Sequence, residues 1–397
     1  MPCAAAAAPP RPNSPPVPHL HDAGWPRGRA GAILTIDLDA IRANYRTVQA
    51  RASGAECAAV VKADAYGLGA ARVAPMLERA GARTFFVAHV DEGIALRLHI
   101  APASRVFVLH GPLAGAEADC VRHDLIPVLN SFEQIGAWRA LAHRLGRTLP
   151  AAVQFDTGMS RFGLSEEDLE RIDADPDGWH GIERCLVMSH LACADDPSDP
   201  ASAHQRERLL AMRARLPAAP LSLAASSGIF LGPDFHFDLV RPGAALYGVA
   251  PNGTAPNPMR PVVRLQARIL QTRTVGPRDG VGYGLTYRPT SRRRIATIAA
   301  GYADGFMRHA AREGRAWLGT QPLPIVGRIS MDSMAVDITD APDSLTTPGA
   351  MLDLLGPQHG VDEVARGAGT IGYEILTSLG HRYHRAYVAD GAASSLS

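Results

Sequence analysis

Between Ala58 and about Gly248 short apolar runs alternate with segments of helical periodicity. AAVV closes just before Lys62, FFV starts at Phe85, VFVL at Val106, IPVL at Ile126, AAVQF at Ala151, CLVMS at Cys185, LSLAA at Leu221 and FDLV at Phe237. Uninterrupted runs of this length are the pattern of strands buried on both faces, as in a parallel sheet. After the first of them, Val73, Met76, Leu77 and Ala80 recur at helical spacing and Gly81 follows as a C-terminal stop. Eight such strand-and-helix units predict a (β/α)8 barrel of the TIM type. From about Pro261 the texture changes. VVRLQARILQTRTV, RRRIATIAAGYADG, PLPIVGRISMDSMAVDI and MLDLLG alternate or run apolar between Gly and Pro turns, with little helical periodicity. They predict a C-terminal, mainly antiparallel β domain. The expected plan is a tail over residues 1–30, a barrel over 31–256 and a β domain over 257–397. The first strand, near 33–37, is open to joining the β domain.

A length of 397 residues suits two domains, since single cores stop growing near about 300 residues. The net charge of +1 lacks the basic excess of a nucleic-acid-binding surface. The five cysteines, Cys3, Cys57, Cys120, Cys185 and Cys193, are odd in number and scattered, which predicts a reduced, cytoplasmic protein. No stretch approaches the roughly eighteen apolar residues of a membrane span. Residues 1–30, rich in Ala, Pro and Arg, lack the apolar centre of a secretory signal and read as a disordered tail.

Lys62 is the only lysine in the chain. Nucleotide bias alone can replace exposed lysines by arginine, so the count by itself leaves Lys62 as an accidental survivor. Arginine cannot replace lysine where an amine must lose its proton and condense with a carbonyl as a Schiff base. In a barrel, chemistry sits at the C-terminal ends of the strands. The residues at or just after the eight apolar runs are Lys62, His89, His110, Asn130, Asp156, His190, Ser226 and Arg241. Tyr66 follows Lys62 by four residues, a placement that suits an aldehyde cofactor held by the lysine, with its phosphate near the tyrosine.

At AVVKADAYGLG the chain resembles the pyridoxal-phosphate lysine motif of the alanine racemases. ILTIDLDAIRANY, FDTGMSRFGL, SHLACAD and SLAASSGIFLGPDFHFDLVRPGAALYG follow in that family's order, and VGYGLTYRP, IAAGYADGF, VGRISMDSMAVDI and IGYEI continue it through the β domain. The resemblance implies pyridoxal 5'-phosphate as cofactor, alanine as substrate, and a homodimer whose active sites are shared between subunits. It makes Lys62 the Schiff-base residue and one catalytic base, and Tyr283 the second base, supplied across the dimer. Arg241 would face the pyridine nitrogen, with His190 linking it to the tyrosine. Phosphate contacts would come from Tyr66, Ser226, Gly243, Ala244 and Tyr373, and substrate carboxylate contacts from Arg161 and the backbone of Met331.

The implied reaction accounts for these residue types, because moving the α-proton from one face to the other needs a base on each side. An arginine at the pyridine nitrogen leaves the ring unprotonated and a weaker electron sink, limiting side reactions such as transamination. Two positions depart from the family pattern. Gln154 stands where many members have a carbamylated lysine that orients Arg161, so here either a Gln154 hydrogen bond or a bound anion is expected. Ala225 replaces an asparagine before the phosphate-binding serine. A pyridoxal-phosphate decarboxylase would carry a glycine-rich phosphate loop and a cysteine motif in the β domain, and neither is present. A non-catalytic pyridoxal-phosphate-binding barrel would lack the β domain and its VGYG tyrosine. A racemase of broader specificity differs only in pocket volume.

Overall fold

The computed structural model describes residues 26–52, 54–253 and 256–389. Residues 1–25 of the expected tail lie outside them. Pro26–Ala30, assigned to the tail on composition, form a turn held by Arg268, whose guanidinium donates to the carbonyls of Arg27 and Ala30.

The barrel strands are β2 (Glu56–Cys57) with β3 (Ala59–Val60), β4 (Thr84–Val87), β5 (Arg105–Val108), β6 (Ile126–Leu129), β7 (Leu149–Gln154), β8 (Ile182–Met188), β9 (Leu221–Ser222) and β10 (Leu239–Val240). β3 to β9 form one parallel sheet in sequence order, and β10 pairs in parallel with β2. A bridge between Ala225 and Arg241, with the Asp238 amide on the Leu221 carbonyl, joins β9 to β10 and closes the ring. Helices on the outside bury one face of each strand and the barrel interior buries the other. All four residues of β4 are consequently inaccessible, and the rings of Phe86 and Phe107 stack at 4.9 Å between neighbouring strands.

The strand β1 (Ala32–Asp37) precedes the barrel in sequence but pairs antiparallel with β11 (Val263–Val275) and parallel with β17 (His384–Val388). It therefore belongs to the second sheet. There β11 also pairs with β12 (Arg293–Ile298) and β16 (Met351–Leu355). The order β12, β15 (Met334–Asp337), β14 (Gln321–Val326), β13 (Arg315–Leu318), β16, β11 closes on itself through the β11–β12 pairing. Two helices, Val361–Ala368 and Gly372–Ser378, interrupt this β domain. The first carries Val361, Val364, Ala365 and Ala368 at helical spacing, a signal hidden among the apolar strands around it, and the second is too short to display a stripe.

The two domains are fastened at the lysine loop. Arg385 and Tyr387 of β17 donate to the carbonyls of Gly67 (2.5 Å) and Leu68 (3.0 Å). Helix Gly372–Ser378 lies so close that a Cβ on Gly67 would stand 2.7 Å from the Leu376 carbonyl oxygen, and Gly67 also has φ of +79°. Both facts require glycine there.

Candidate active site

Lys62 leaves β3 at the C-terminal mouth of the barrel and enters an unusual turn. Ala63, Asp64, Ala65 and Tyr66 have φ of 51°, 54°, 54° and 56°, four consecutive left-handed residues without a glycine. Each costs about 1 to 2 kcal/mol in an L-residue, so the turn exists only because its surroundings fix it. The Ala63 amide donates to Glu92 Oε1 at 2.9 Å, the Gly69 amide to the Asp64 carbonyl at 2.9 Å, and the Ala70 amide to Asp64 Oδ1 at 2.7 Å. The half-buried Lys62 amine is held below its ordinary pKa, first by burial and then by the charges of Arg161 and Arg241, with Glu92 opposing.

The same turn delivers Tyr66 into the interior. Its ring lies 4.8 Å from that of Tyr247 and 6.0 Å from that of Tyr373, and burial pushes its phenol pKa up. Its hydroxyl approaches the backbone at Gly243 so closely that a Cβ on Gly243 would stand 2.4 Å from it. Ser226, at the end of the seventh barrel strand, accepts at Oγ from the amides of Gly243 (3.0 Å) and Ala245 (3.2 Å). Ala244 is buried and opens the turn Ala244–Tyr247, so its amide has no carbonyl one turn back to bond. Tyr373 arrives from the β domain on helix Gly372–Ser378, its ring 6.0 Å from that of Tyr66. Tyr66, Ser226, Tyr373 and the backbone turn at Gly243 therefore lie close together beside the lysine loop.

Arg241 is 2% exposed, at the end of β10. Its guanidinium donates to Ser222 Oγ (2.5 Å), the Ser189 carbonyl (2.7 Å), the Leu223 carbonyl (3.3 Å) and His190 Nδ1 (3.4 Å). Burial lowers its pKa to about 9, which leaves the cation intact at neutral pH. The pKa of His190 falls to about 3, by burial first and then by Arg241, Arg161 and Lys62, so its imidazole is neutral. Because guanidinium only donates, Nδ1 must accept and Nε2 carries the proton.

Arg161 is exposed, on the loop Phe155–Leu164 that follows β7. That loop is shaped by Asp156 Oδ1, which accepts the amides of Gly158, Met159 and Ser160 at 2.9 to 3.1 Å. Gln154 is buried at its base, and among the described residues no hydrogen bond joins its side chain to Arg161. The expected Gln154–Arg161 hydrogen bond is thus not formed. Arg161 instead leans towards the Phe162 ring, 5.8 Å from guanidinium carbon to ring centre, and a cleft of about 480 Å³ opens between this loop, His110 and Asn130.

The barrel mouth therefore gathers Lys62, Tyr66, His190, Ser226, Arg241, Gly243 and Ala244, with Tyr373 added by the β domain. Tyr283 and Met331 are placed differently. They lie on turns of the β domain, 69% and 53% exposed. Gly284, beside Tyr283, packs against the Arg328 guanidinium. Sequence reading missed Glu92, Ser222 and Tyr247. The spacing from His89 to Glu92 carries a helix-start signature, which explains a cap on helix Val90–Arg97 but not the reach to Ala63.

Comparison with known proteins bears on most of the chain. The family described as alanine racemase, N-terminal domain, matches residues 36–251, and alanine racemase, C-terminal domain, matches residues 262–387. A catabolic alanine racemase of Mesorhizobium japonicum is 52% identical over 92% of this chain and 96% of its own. An alanine racemase of Rhodospirillum rubrum is 50% identical over 90% of this chain and 96% of its own. The crystal structure of alanine racemase from Bartonella henselae with covalently bound pyridoxal phosphate is 42% identical, with a TM-score of 0.87 over 90% of this chain and all of that one.

Proposed function

This chain belongs to the alanine racemase family, and from that premise we propose that it interconverts L-alanine and D-alanine with pyridoxal 5'-phosphate. The observation that carries the reading is the single lysine, at a barrel strand end, its amine pKa lowered, on the turn that delivers Tyr66 to Gly243, whose amide Ser226 holds.

The residues fit the cofactor. Tyr66, Ser226, Tyr373 and the amides of Gly243 and Ala244 would hold its phosphate, Arg241 would face its ring nitrogen and Lys62 its aldehyde. When bound, pyridoxal phosphate supplies that aldehyde, and a conjugated ring that spreads the electron pair left at a substrate carbon. The chain's own residues do the rest. Arg161 and the Met331 backbone bind the substrate carboxylate and orient the α-carbon. Lys62 Nζ, already biased towards the neutral amine, takes or returns the α-proton on one face. Tyr283 Oη of the partner subunit does so on the other, and neutral His190 connects Arg241 to that tyrosine. A permanent guanidinium gives up no proton to the ring, which keeps the ring a moderate electron sink and protects racemisation from transamination.

The homodimer reading is supported by Tyr283, Leu285 and Met331, large apolar side chains exposed on the β domain. No helix among the described residues is long and apolar enough to cross a membrane, and Cys57, Cys120, Cys185 and Cys193 are free thiols. Both support a cytoplasmic enzyme, which would supply D-alanine for peptidoglycan precursors or consume it, as the concentrations dictate.

Two measurements test this reading. Borohydride reduction of the coloured protein followed by peptide mapping is expected to place the label on Lys62, and recovery of unmodified Lys62 peptide from fully reduced, active protein would refute the assignment. Gly243→Ala tests the phosphate site. The new methyl meets Tyr66 Oη at 2.4 Å and Val60 Cβ at 3.3 Å, and Tyr66 is already packed between two other rings. Its displacement is expected to raise the Kd for pyridoxal phosphate about tenfold or more, a loss of about 1.4 kcal/mol. Unchanged affinity in a titration of the apoprotein would remove Gly243 from the cradle.

A further inference from the structure

The left-handed turn after Lys62 has one anchor from outside its own segment at its first residue. Glu92, half-buried on helix Val90–Arg97, accepts the Ala63 amide at Oε1 (2.9 Å). Its second oxygen, Oε2, accepts the Ala88 amide at 2.7 Å and lies 3.4 Å from the His89 amide. One carboxylate therefore ties the residue immediately after the lysine to the residue immediately after β4, the neighbouring barrel strand. Within the segment the Ala65 amide closes on the Val61 carbonyl at 2.9 Å, and the contacts through Asp64, Gly67 and Leu68 act further along the turn.

We propose that Glu92 is a positioning residue for Lys62: by holding the Ala63 amide against the end of β4, it fixes the direction in which the lysine leaves its strand. A carboxylate suits this task better than any neutral side chain. Both amides donate, so the group between them must accept twice, and an amide side chain would turn one of its own N–H groups against a donor. A base that acts on one face of a substrate carbon depends on sub-ångström placement, and a left-handed turn released at its first residue has right-handed conformations open to it.

Glu92 also brings a negative charge to a group surrounded by positive ones. The charged and titratable groups acting on Lys62 are Arg161, Arg241 and Glu92, and Lys62 in turn depresses the pKa values of His110 and His190. Among these groups only Glu92 favours the ammonium form. Replacing it by glutamine is therefore expected to move the titration of Lys62 to lower pH, by about half a unit or more, as loss of a nearby opposite charge does.

The inference rests on Lys62 being the cofactor lysine, and the experiment separates the two claims. Glu92→Gln holoenzyme is compared with wild type for kcat and KM on alanine. The apoproteins are compared for the pH dependence of the rate at which they take up pyridoxal phosphate, and for hydrogen exchange at the Ala63 amide. Expected are a fall in kcat of about tenfold or more with KM within about threefold, slower uptake with its midpoint shifted down, and lost protection at Ala63. Wild-type kcat, midpoint and protection would overturn the proposal. So would a loss of activity that saturating cofactor restores with the midpoint unchanged, since Glu92 would then serve only the fold. If the variant does not fold, wild-type exchange decides: a protected Ala63 amide supports the anchor and free exchange removes it. Absence of borohydride label on Lys62 in the wild type would strike the functional reading instead.

Discussion

Lys62→Ala and Tyr283→Phe homodimers, each nearly inactive, are expected to regain about a quarter of wild-type activity when unfolded and refolded together. Removal of either base forfeits a factor of about 10² to 10⁴ in rate, the usual contribution of a positioned proton-transfer group. If each active site takes its lysine from one subunit and its tyrosine from the other, a hybrid dimer has one site lacking both bases and one site with both intact. Random pairing makes half of the dimers hybrid, and half of their sites work. If both bases came from one chain, every site in every dimer would still lack one of them. The exposure of Tyr283, at 69% on the β domain, favours the shared site. The check is activity in hybrids isolated by two different tags. No recovery in a verified hybrid would leave Tyr283 as a surface residue of the β domain.

Much of this arrangement is legible in the sequence because parallel barrel strands are buried on both faces, so that runs such as FFV and VFVL stand out from the helical segments between them. Residues at the ends of those runs land at one barrel mouth because closure of the sheet brings all eight ends together. What stays hidden is what no local pattern encodes. β1 is paired with strands more than 200 positions away, and its own residues are compatible with either domain. The turn Ala63–Tyr66 contains no glycine to announce its left-handed backbone; Glu92 holds its first residue from elsewhere in the chain, and Arg385 and Tyr387 hold the Gly67–Leu68 segment just after it. Gln154 shows the limit of analogy. Its position in the motif suggests a hydrogen bond to Arg161 or a bound anion between them, but the buried Gln154 makes no such bond and the guanidinium lies over the Phe162 ring.

Arg241→Ala is expected to cut kcat/KM by about 100-fold or more, in the range found when one pre-arranged electrostatic contact is removed, and to destabilise the apoprotein by about 1 to 3 kcal/mol, the cost of buried acceptors left unpaired. The stability loss follows from burial. The guanidinium satisfies Ser189 O, Leu223 O and Ser222 Oγ where water does not reach, and alanine leaves these acceptors without their donor. A change in pH dependence accompanies it. His190 has a folded pKa of about 3, against about 6.5 for an unfolded histidine. The unfolded chain therefore takes up a proton that the folded chain refuses. The stability contributed by neutral His190 is complete above about pH 6.5 and is lost as pH falls from there towards 3. Burial is the larger cause of that depression and Arg241 the next. Without the guanidinium, the folded pKa of His190 should rise part of the way back, and the acid-induced loss of stability should become shallower even though the protein is weaker at neutral pH. Urea unfolding of the apoprotein at a series of pH values, with the His190 ring followed by NMR, checks both effects. An imidazole that titrates in Arg241→Ala as it does in wild type would show that burial alone keeps His190 neutral, and that Arg241 acts on the reaction without acting through the histidine.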